Sequence, residues 1–260
     1  EVISIADGID QIYVGGYVGR GNIAIPGLPY GILEGEVIRR DYGSLDGTDH
    51  TQVHWDDRTN YTPIVNANGG YQFLGYGVIG NPQPDFVYGV TNTLSYKWAT
   101  LRVQFDSQVG GDVFSTTNST LLGRGILQET DFDRFVPVVT KGLSADGTPN
   151  TTQTTANAHY WPNTGVFYDE NSIYDASVMR LREVSLSFVA PKSFLNGTPF
   201  GNASLTLSAQ NIWHYAWNTP SGTNFDPEVI SYGAGSNARG WDEMTGPTAK
   251  KWGATLSLTF

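Results

Sequence analysis

The stretch Trp252-Gly253-Ala254-Thr255-Leu256-Ser257-Leu258-Thr259-Phe260 alternates without a break. Trp252, Ala254, Leu256, Leu258 and Phe260 fall on one side of an extended chain, and Gly253, Thr255, Ser257 and Thr259 on the other. A period of two is the signature of a strand with one apolar face, because successive side chains of a pleated backbone point opposite ways. At about 3.3 Å per residue and a tilt near 40°, the eight steps cover roughly 20 Å, close to the apolar band of an outer membrane. Trp252 and Phe260 then stand where aromatic girdles lie.

The same pattern recurs upstream. In Ala203–Trp213, Ala203, Leu205, Leu207 and Ala209 oppose Ser204, Thr206, Ser208 and Gln210. In Leu101–Val109, Leu101, Val103 and Phe105 oppose Arg102, Gln104, Asp106 and Gln108. Phe86–Tyr96 sets Phe86, Tyr88, Val90, Leu94 and Tyr96 on one face, which Asn92 interrupts. Met179–Phe188 changes phase: Met179 and Leu181 are in one register, Val184, Leu186 and Phe188 in the other. One extra residue near Arg182–Glu183 restores the apolar face, which predicts a β-bulge there. A weaker strand is expected over Tyr30–Arg39.

Connections differ sharply in length. A tight turn at Lys97-Trp98-Ala99-Thr100 joins one pair of strands, and a moderate turn with Pro191, Gly197 and Pro199 joins another. Segments 40–85, 110–176 and 214–250 are long and irregular, which is unusual in a compact soluble domain. Short turns alternating with long loops are the habit of outer-membrane barrels, with the short ones periplasmic and the long ones outside. Placing Phe260 at the periplasmic edge makes all three long segments extracellular.

Composition agrees. Only 15% of residues are charged, aromatics reach 13%, and there are 31 glycines, against roughly 25% charged in ordinary soluble domains. A net charge of −10 offers no basic stripe to neutralise phosphates and argues against nucleic acid. No apolar run is long enough for a spanning helix. Mean hydropathy is −0.26, which a barrel tolerates because alternation hides its apolar residues. Without cysteine there is no disulfide framework and no thiolate chemistry. Glu1-Val2-Ile3-Ser4 has neither the basic nor the apolar region of a signal peptide, so an internal start is expected.

The segment Ile79-Gly80-Asn81-Pro82-Gln83-Pro84-Asp85-Phe86-Val87-Tyr88-Gly89, continuing to Ser95-Tyr96-Lys97, resembles a signature of SusC/RagA-type TonB-linked outer-membrane transporters. Gly110-Gly111-Asp112-Val113-Phe114, Asp175–Leu186, Gln210-Asn211-Ile212 and Phe225-Asp226-Pro227-Glu228-Val229 resemble further stretches of that family, in the same order. The likeness runs over residues 75 to 260. An Asp-rich element often found ahead of the first motif is missing from 41–60, and no plug domain or early strand is present. The resemblance implies an all-β fold in which 1–260 supplies C-terminal antiparallel strands of a large transmembrane β-barrel with long extracellular loops. It further implies TonB-energised import of oligosaccharides or peptides, with partners in the remainder of the barrel and plug, TonB, a SusD-like surface lipoprotein and outer-membrane lipid. Six or so strands cannot close such a wall, and an open edge cannot face lipid, so the rest of the barrel is expected elsewhere.

Candidate site residues are few. Tyr215, Trp217, Trp241 and Asp242, with His214, lie in the 214–250 segment, where aromatics beside a carboxylate suit sugar rings. Packing on neighbours is the plainer reading. Arg102, Asp106 and Arg180 are expected on the lumen side, as solvated or mutually paired wall residues or as substrate contacts. Phe260, Leu258 and Leu256 resemble the terminal signal read by the barrel-assembly machinery. His50 and His54 near Asp49, Asp56 and Asp57 suggest a metal only weakly, since no helix fixes their spacing. Calcium at Asp41, Asp46 and Asp49 is conceivable, but the spacing is not that of an EF-hand. No nucleophile elbow, P-loop, dinucleotide fingerprint or zinc-protease motif occurs, so no cofactor and no enzymatic activity are expected. The competing readings are a secreted β-sandwich that binds carbohydrate and a glycoside hydrolase on a β-scaffold. Both require a second layer over the apolar faces.

Overall fold

A computed structural model describes residues 1–41, 55–163, 168–219, 226–228, 231–232, 235–246 and 248–260. In chain order its strands begin with β1 (Ile12–Tyr17), β2 (Arg20–Ala24) and β3 (Ile32–Ile38), the two-residue pair β4 (Arg40–Asp41) and β5 (Thr62–Pro63), and β6 (Phe73–Gly80). Next come β7 (Phe86–Tyr96), β8 (Ala99–Val109) and β9 (Asp112–Ser115), then helix α1 (Thr116–Gly123). The two-residue pair β10 (Val138–Val139) and β11 (Gln153–Thr154) precedes helix α2 (Ala156–Asn163) and β12 (Ile173–Asp175). The chain ends with β13 (Val178–Val189), the short helix α3 (Lys192–Leu195), β14 (Asn202–Tyr215), β15 (Trp241–Asp242) and β16 (Lys251–Thr259).

Among the described residues, β7, β8, β13, β14 and β16 form a five-stranded antiparallel meander. Cross-strand pairing lines the alternating residues into continuous rows. Tyr96, Ala99, Phe188, Leu205 and Leu256 make one row, and Leu94, Leu101, Leu186, Leu207 and Ala254 make the next. Asn92, Val103, Val184, Ala209 and Trp252 make a third, so Asn92 stands on the apolar face with no register shift in β7. The face is uncovered: Leu94 is 62% exposed, Leu207 45% and Leu256 64%. A soluble sandwich would bury these rows under a second sheet, and the described residues place none there.

The opposite face is mainly polar, with Val87 and Val189 as exposed apolar exceptions near its two ends. Thr93, Arg102, Ser185, Ser208 and Gly253 align, as do Ser95, Thr100, Ser187, Thr206 and Thr255. Hydroxyl pairs join strands on this side, Ser95 to Thr100 at 3.1 Å and Ser187 to Thr206 at 2.9 Å.

The expected bulge is present. Leu181 pairs with Phe105 and Glu183 with Gln104, so Arg182 is the extra residue against β8. A second irregularity adjoins it: Leu181 and Glu183 meet Trp213 and Gln210, leaving Asn211 and Ile212 opposite Arg182. Asn211 takes a left-handed φ of 53° there. The two shifts add, so β14 carries two residues more than β8 across this point and its alternation keeps phase from Ala203 to Tyr215.

Connections sort by end. Tyr96 pairs directly with Ala99, so the turn is Lys97-Trp98, tighter than the four residues the sequence suggests. This turn and the 190–201 connection share one end with Phe260. Every long connection leaves from the other end, which we term the loop end. Aromatics gather at both: Phe86 with Tyr88 and Trp213 with Tyr215 toward the loop end, Trp98 with Phe188 and Phe200 with Phe260 at the turn end.

The long segments are not structureless, a correction to the expectation for 40–85 and 110–176. The strand expected over Tyr30–Arg39 exists as β3, but in a separate four-stranded sheet ordered β1-β2-β3-β6. This sheet packs with β9, β12 and β15 into a loop body with its own core of Leu33, Val37, Ile79, Phe114, Ala238 and Trp241. Where β2 stops short, Asp169 and Glu170 complete β3 instead: their carboxylates accept the Glu36 and Ile38 N–H groups at 3.0 and 2.9 Å. Arg20 neutralises Asp169, and Arg40 neutralises Glu170. Burial pushes the Asp169 carboxyl up, and the hydrogen bonds from Arg20 oppose that rise. Gly110 and Gly111, at φ 74° and 83°, turn the chain from wall into loop body, a backbone that favours glycine.

Candidate functional site

The polar face of the five-stranded sheet runs from the turn end as a lane of hydroxyls and amides. Toward the loop end it meets a charged cluster built on the bulge. Asp106 and Arg180 are direct cross-strand partners, yet Arg180 turns to the loop: its guanidinium pairs with both carboxylate oxygens of Asp226, one at 3.1 Å. The Arg180 side chain is 2% exposed and that of Asp226 0%. Arg182, displaced by the bulge, takes the place beside Asp106 and donates to both its carboxylate oxygens at 2.8 and 2.7 Å. Arg182 also reaches Glu228 at 3.0 Å and the Asn211 amide oxygen at 3.2 Å. Glu228 bridges back to Arg180 at 3.1 Å.

Two cations and three carboxylates thus share one network, and its enclosed members, Arg180 and Asp226, are paired and hydrogen-bonded as buried charge requires. Burial alone would raise the Asp226 carboxyl, but hydrogen bonds from Arg180 and Thr248 bring it to about 2. The network joins two motifs 46 residues apart, one on a wall strand and one in the 214–250 segment. That segment is tied twice more. Asn218 donates to Asp175 at 2.9 Å, and Trp241 inserts into the loop-body core beside Phe114, ring centroids 4.9 Å apart.

The sequence-level candidates are not all in one place. Arg102 is exposed on the polar face, and Asp106 and Arg180 share the charged cluster. Tyr215 pairs with Met179 in β13 and stacks on Trp213, which puts it on the apolar side, among the girdle aromatics. Trp217 is 36% exposed beyond the strand end. Trp241 and Asp242 are each 1% exposed. The Trp241 indole N–H donates to Asn22 at 2.7 Å, and Asp242 accepts from Ser115 at 2.7 Å. Both therefore pack inside the loop body, the plainer of the two readings their sequence allowed. Leu256 and Leu258 lie on the uncovered apolar face, and Phe260 is 86% exposed beside Phe200.

Arg182, Asp226 and Glu228 enter the sequence reading only through the bulge and the family-like stretches, not as candidate site residues. The available signal was the phase slip itself, since an arginine in a bulge is redirected off its row. Among the described residues no three His, Asp or Glu side chains converge as a metal site would need. His50, His54, Asp46 and Asp49 lie outside the described residues. Nothing in the cluster pairs a nucleophile with a base; its chemistry is the fixing of a loop and the presentation of hydrogen-bonding groups along a polar wall.

No family model matches the chain. It is 28% identical over 160 residues to TonB-dependent receptor P3 of Formosa agariphila, covering 57% of this chain and 14% of that protein. It is 27% identical over 192 residues to TonB-dependent receptor P26 of the same organism, covering 70% and 18%. The chain therefore spans less than a fifth of the curated relatives it matches. Structures of the RagAB peptide importer in its closed-closed and open-open states superpose with TM-scores of 0.55 and 0.56, at 18% and 15% identity. They cover 98% and 99% of this chain and 25% of each of those chains. The fold is that of the matching quarter of those structures, and among the described residues the sheet does not close.

Proposed function

We infer that this chain, similar in sequence to TonB-dependent receptors and in fold to RagAB, supplies part of the barrel wall and part of the external loop body of an outer-membrane TonB-dependent transporter. One observation carries the inference. A mainly apolar face stands uncovered across five adjacent strands while the opposite face is mainly polar. Acyl chains meet the first, and an aqueous lumen meets the second. The loop end is extracellular and the turn end periplasmic, with Leu256, Leu258 and Phe260 on the strand that the assembly machinery reads.

The cargo class is oligosaccharide or peptide, delivered with a SusD-like lipoprotein at the loop body and released through TonB. The RagAB neighbours are described as a peptide importer, which favours peptides without fixing them. Arg102 and Trp217 are the exposed candidates for cargo contact; Asp106, Arg180, Asp226 and Glu228 hold the loop that shapes the entrance. A secreted β-sandwich and a glycoside hydrolase are disfavoured, because either leaves the apolar rows in water. The test is uptake of labelled oligosaccharides and peptides by cells carrying the complete transporter, with and without a functional TonB. TonB-dependent accumulation of one class is expected; TonB-independent behaviour, or a chain released soluble without detergent, overturns the reading.

A further inference from the structure

We propose that the turn end of the apolar face carries a seat for an anionic glycerophospholipid, its acyl chain in a groove and its phosphate beside Lys97 and Lys192. The proposal rests on the reading that this face meets lipid. The groove is walled by Trp98, Phe188, Pro191, Phe194, Leu205 and Leu256, with Trp98 and Phe188 ring centroids 5.6 Å apart. The Val189 N–H donates to the Trp98 carbonyl at 2.8 Å, which holds the Lys97-Trp98 turn against the start of the 190–201 connection. Phe194, on α3, is 75% exposed, a large apolar side chain left at the mouth.

The charge pattern supplies the second argument. The chain holds 25 acidic and 15 basic residues, yet 91–105, 184–209 and 252–260 contain Lys97, Arg102 and Lys192 and no Asp or Glu. In an acidic protein, the turn-end half of the wall is free of side-chain anions. Arg102 lies on the polar face, whereas Lys97 and Lys192 directly precede or follow groove residues (Trp98 and Pro191) and are both exposed. The Lys97 ammonium lies 5.2 Å from the Tyr96 ring centroid, beside an aromatic at the turn end of the apolar face. Two cations at headgroup level beside an apolar groove favour a lipid of net negative charge over a zwitterionic one, whose own ammonium offsets its phosphate.

The probe is quenching of Trp98 fluorescence by brominated lipid, in the complete transporter reconstituted in vesicles. The Trp98 share is isolated by subtracting a Trp98→Phe variant. Brominated phosphatidylglycerol is expected to quench it more than brominated phosphatidylcholine at equal mole fraction, by roughly fivefold in relative association for each lysine. Lys97→Asn with Lys192→Gln should remove that preference and leave quenching by phosphatidylcholine intact. Equal quenching by both lipids overturns the proposal while the lipid-facing wall stands. A preference that survives the double variant also overturns it. No Trp98 quenching by either lipid overturns both this proposal and the wall reading.

Discussion

Arg180 of strand β13 and Asp226 of the 214–250 segment form a fully enclosed guanidinium–carboxylate pair, 46 residues apart in the chain. Burying two charges is costly, and it is recovered only when both stay paired. Asp226→Ala strands the Arg180 charge and is expected to cost about 3 kcal/mol of loop docking. Hydrogen exchange of 226–246 should accelerate while the wall strands keep their protection.

The same pair sets an acid limit. The Asp226 carboxyl lies at about 2, below its ordinary 3.8, so its stabilisation is present above about pH 4 and is lost as pH falls toward 2. The linked contribution is on the order of 2 kcal/mol. Loop protection followed against pH should drop in that window for the parent and show no such step for Asp226→Asn.

Asp112 behaves oppositely. Burial raises its carboxyl to about 6, against the hydrogen bond it accepts from the Asn81 N–H at 2.7 Å. A raised carboxyl weighs against the fold when ionised, so the loop body should tighten as pH falls from 7 to 5. Asp112→Asn keeps an acceptor and removes the charge, so it should stabilise at pH 7 by up to ~2 kcal/mol and abolish the pH dependence. The exchange rate of the Asn81 amide, corrected for intrinsic chemistry, reads both.

Gly240 has φ 73°, and an added Cβ would lie 2.6 Å from the Pro82 side chain and 2.8 Å from the Asp112 carbonyl. Gly240→Ala therefore combines backbone strain with a clash against the chain entering β7. A loss of roughly 2 kcal/mol or more in loop-body stability is expected, measurable as protease sensitivity of the 226–246 region.

How much of this the sequence exposes depends on which contacts are local. The strands at 86–96, 101–109, 203–213 and 252–260 are readable because one face is uncovered, so alternation runs unmixed. The bulge at Arg182 is readable because a single extra residue reverses the phase. The irregularity at Asn211 is hidden, since two extra residues relative to β8 restore it. The β1-β2-β3-β6 sheet escapes for different reasons: its strands are short, β3 is buried on both faces from Ile32 to Gly35, and β3 meets β6 across some forty residues. The packing of Trp241 is hidden for another reason: its indole N–H donates to Asn22, 219 residues away in the chain.

The most direct test of the wall reading uses spin labels on single cysteines, which the cysteine-free chain allows without background from this segment. Leu207→Cys and Leu256→Cys are compared with Thr206→Cys and Thr255→Cys in the reconstituted transporter. The account predicts that labels at 207 and 256 collide with oxygen dissolved in the bilayer, and those at 206 and 255 with a water-soluble nickel chelate. Leucine-position labels that meet the chelate, or that meet neither reagent, would contradict it.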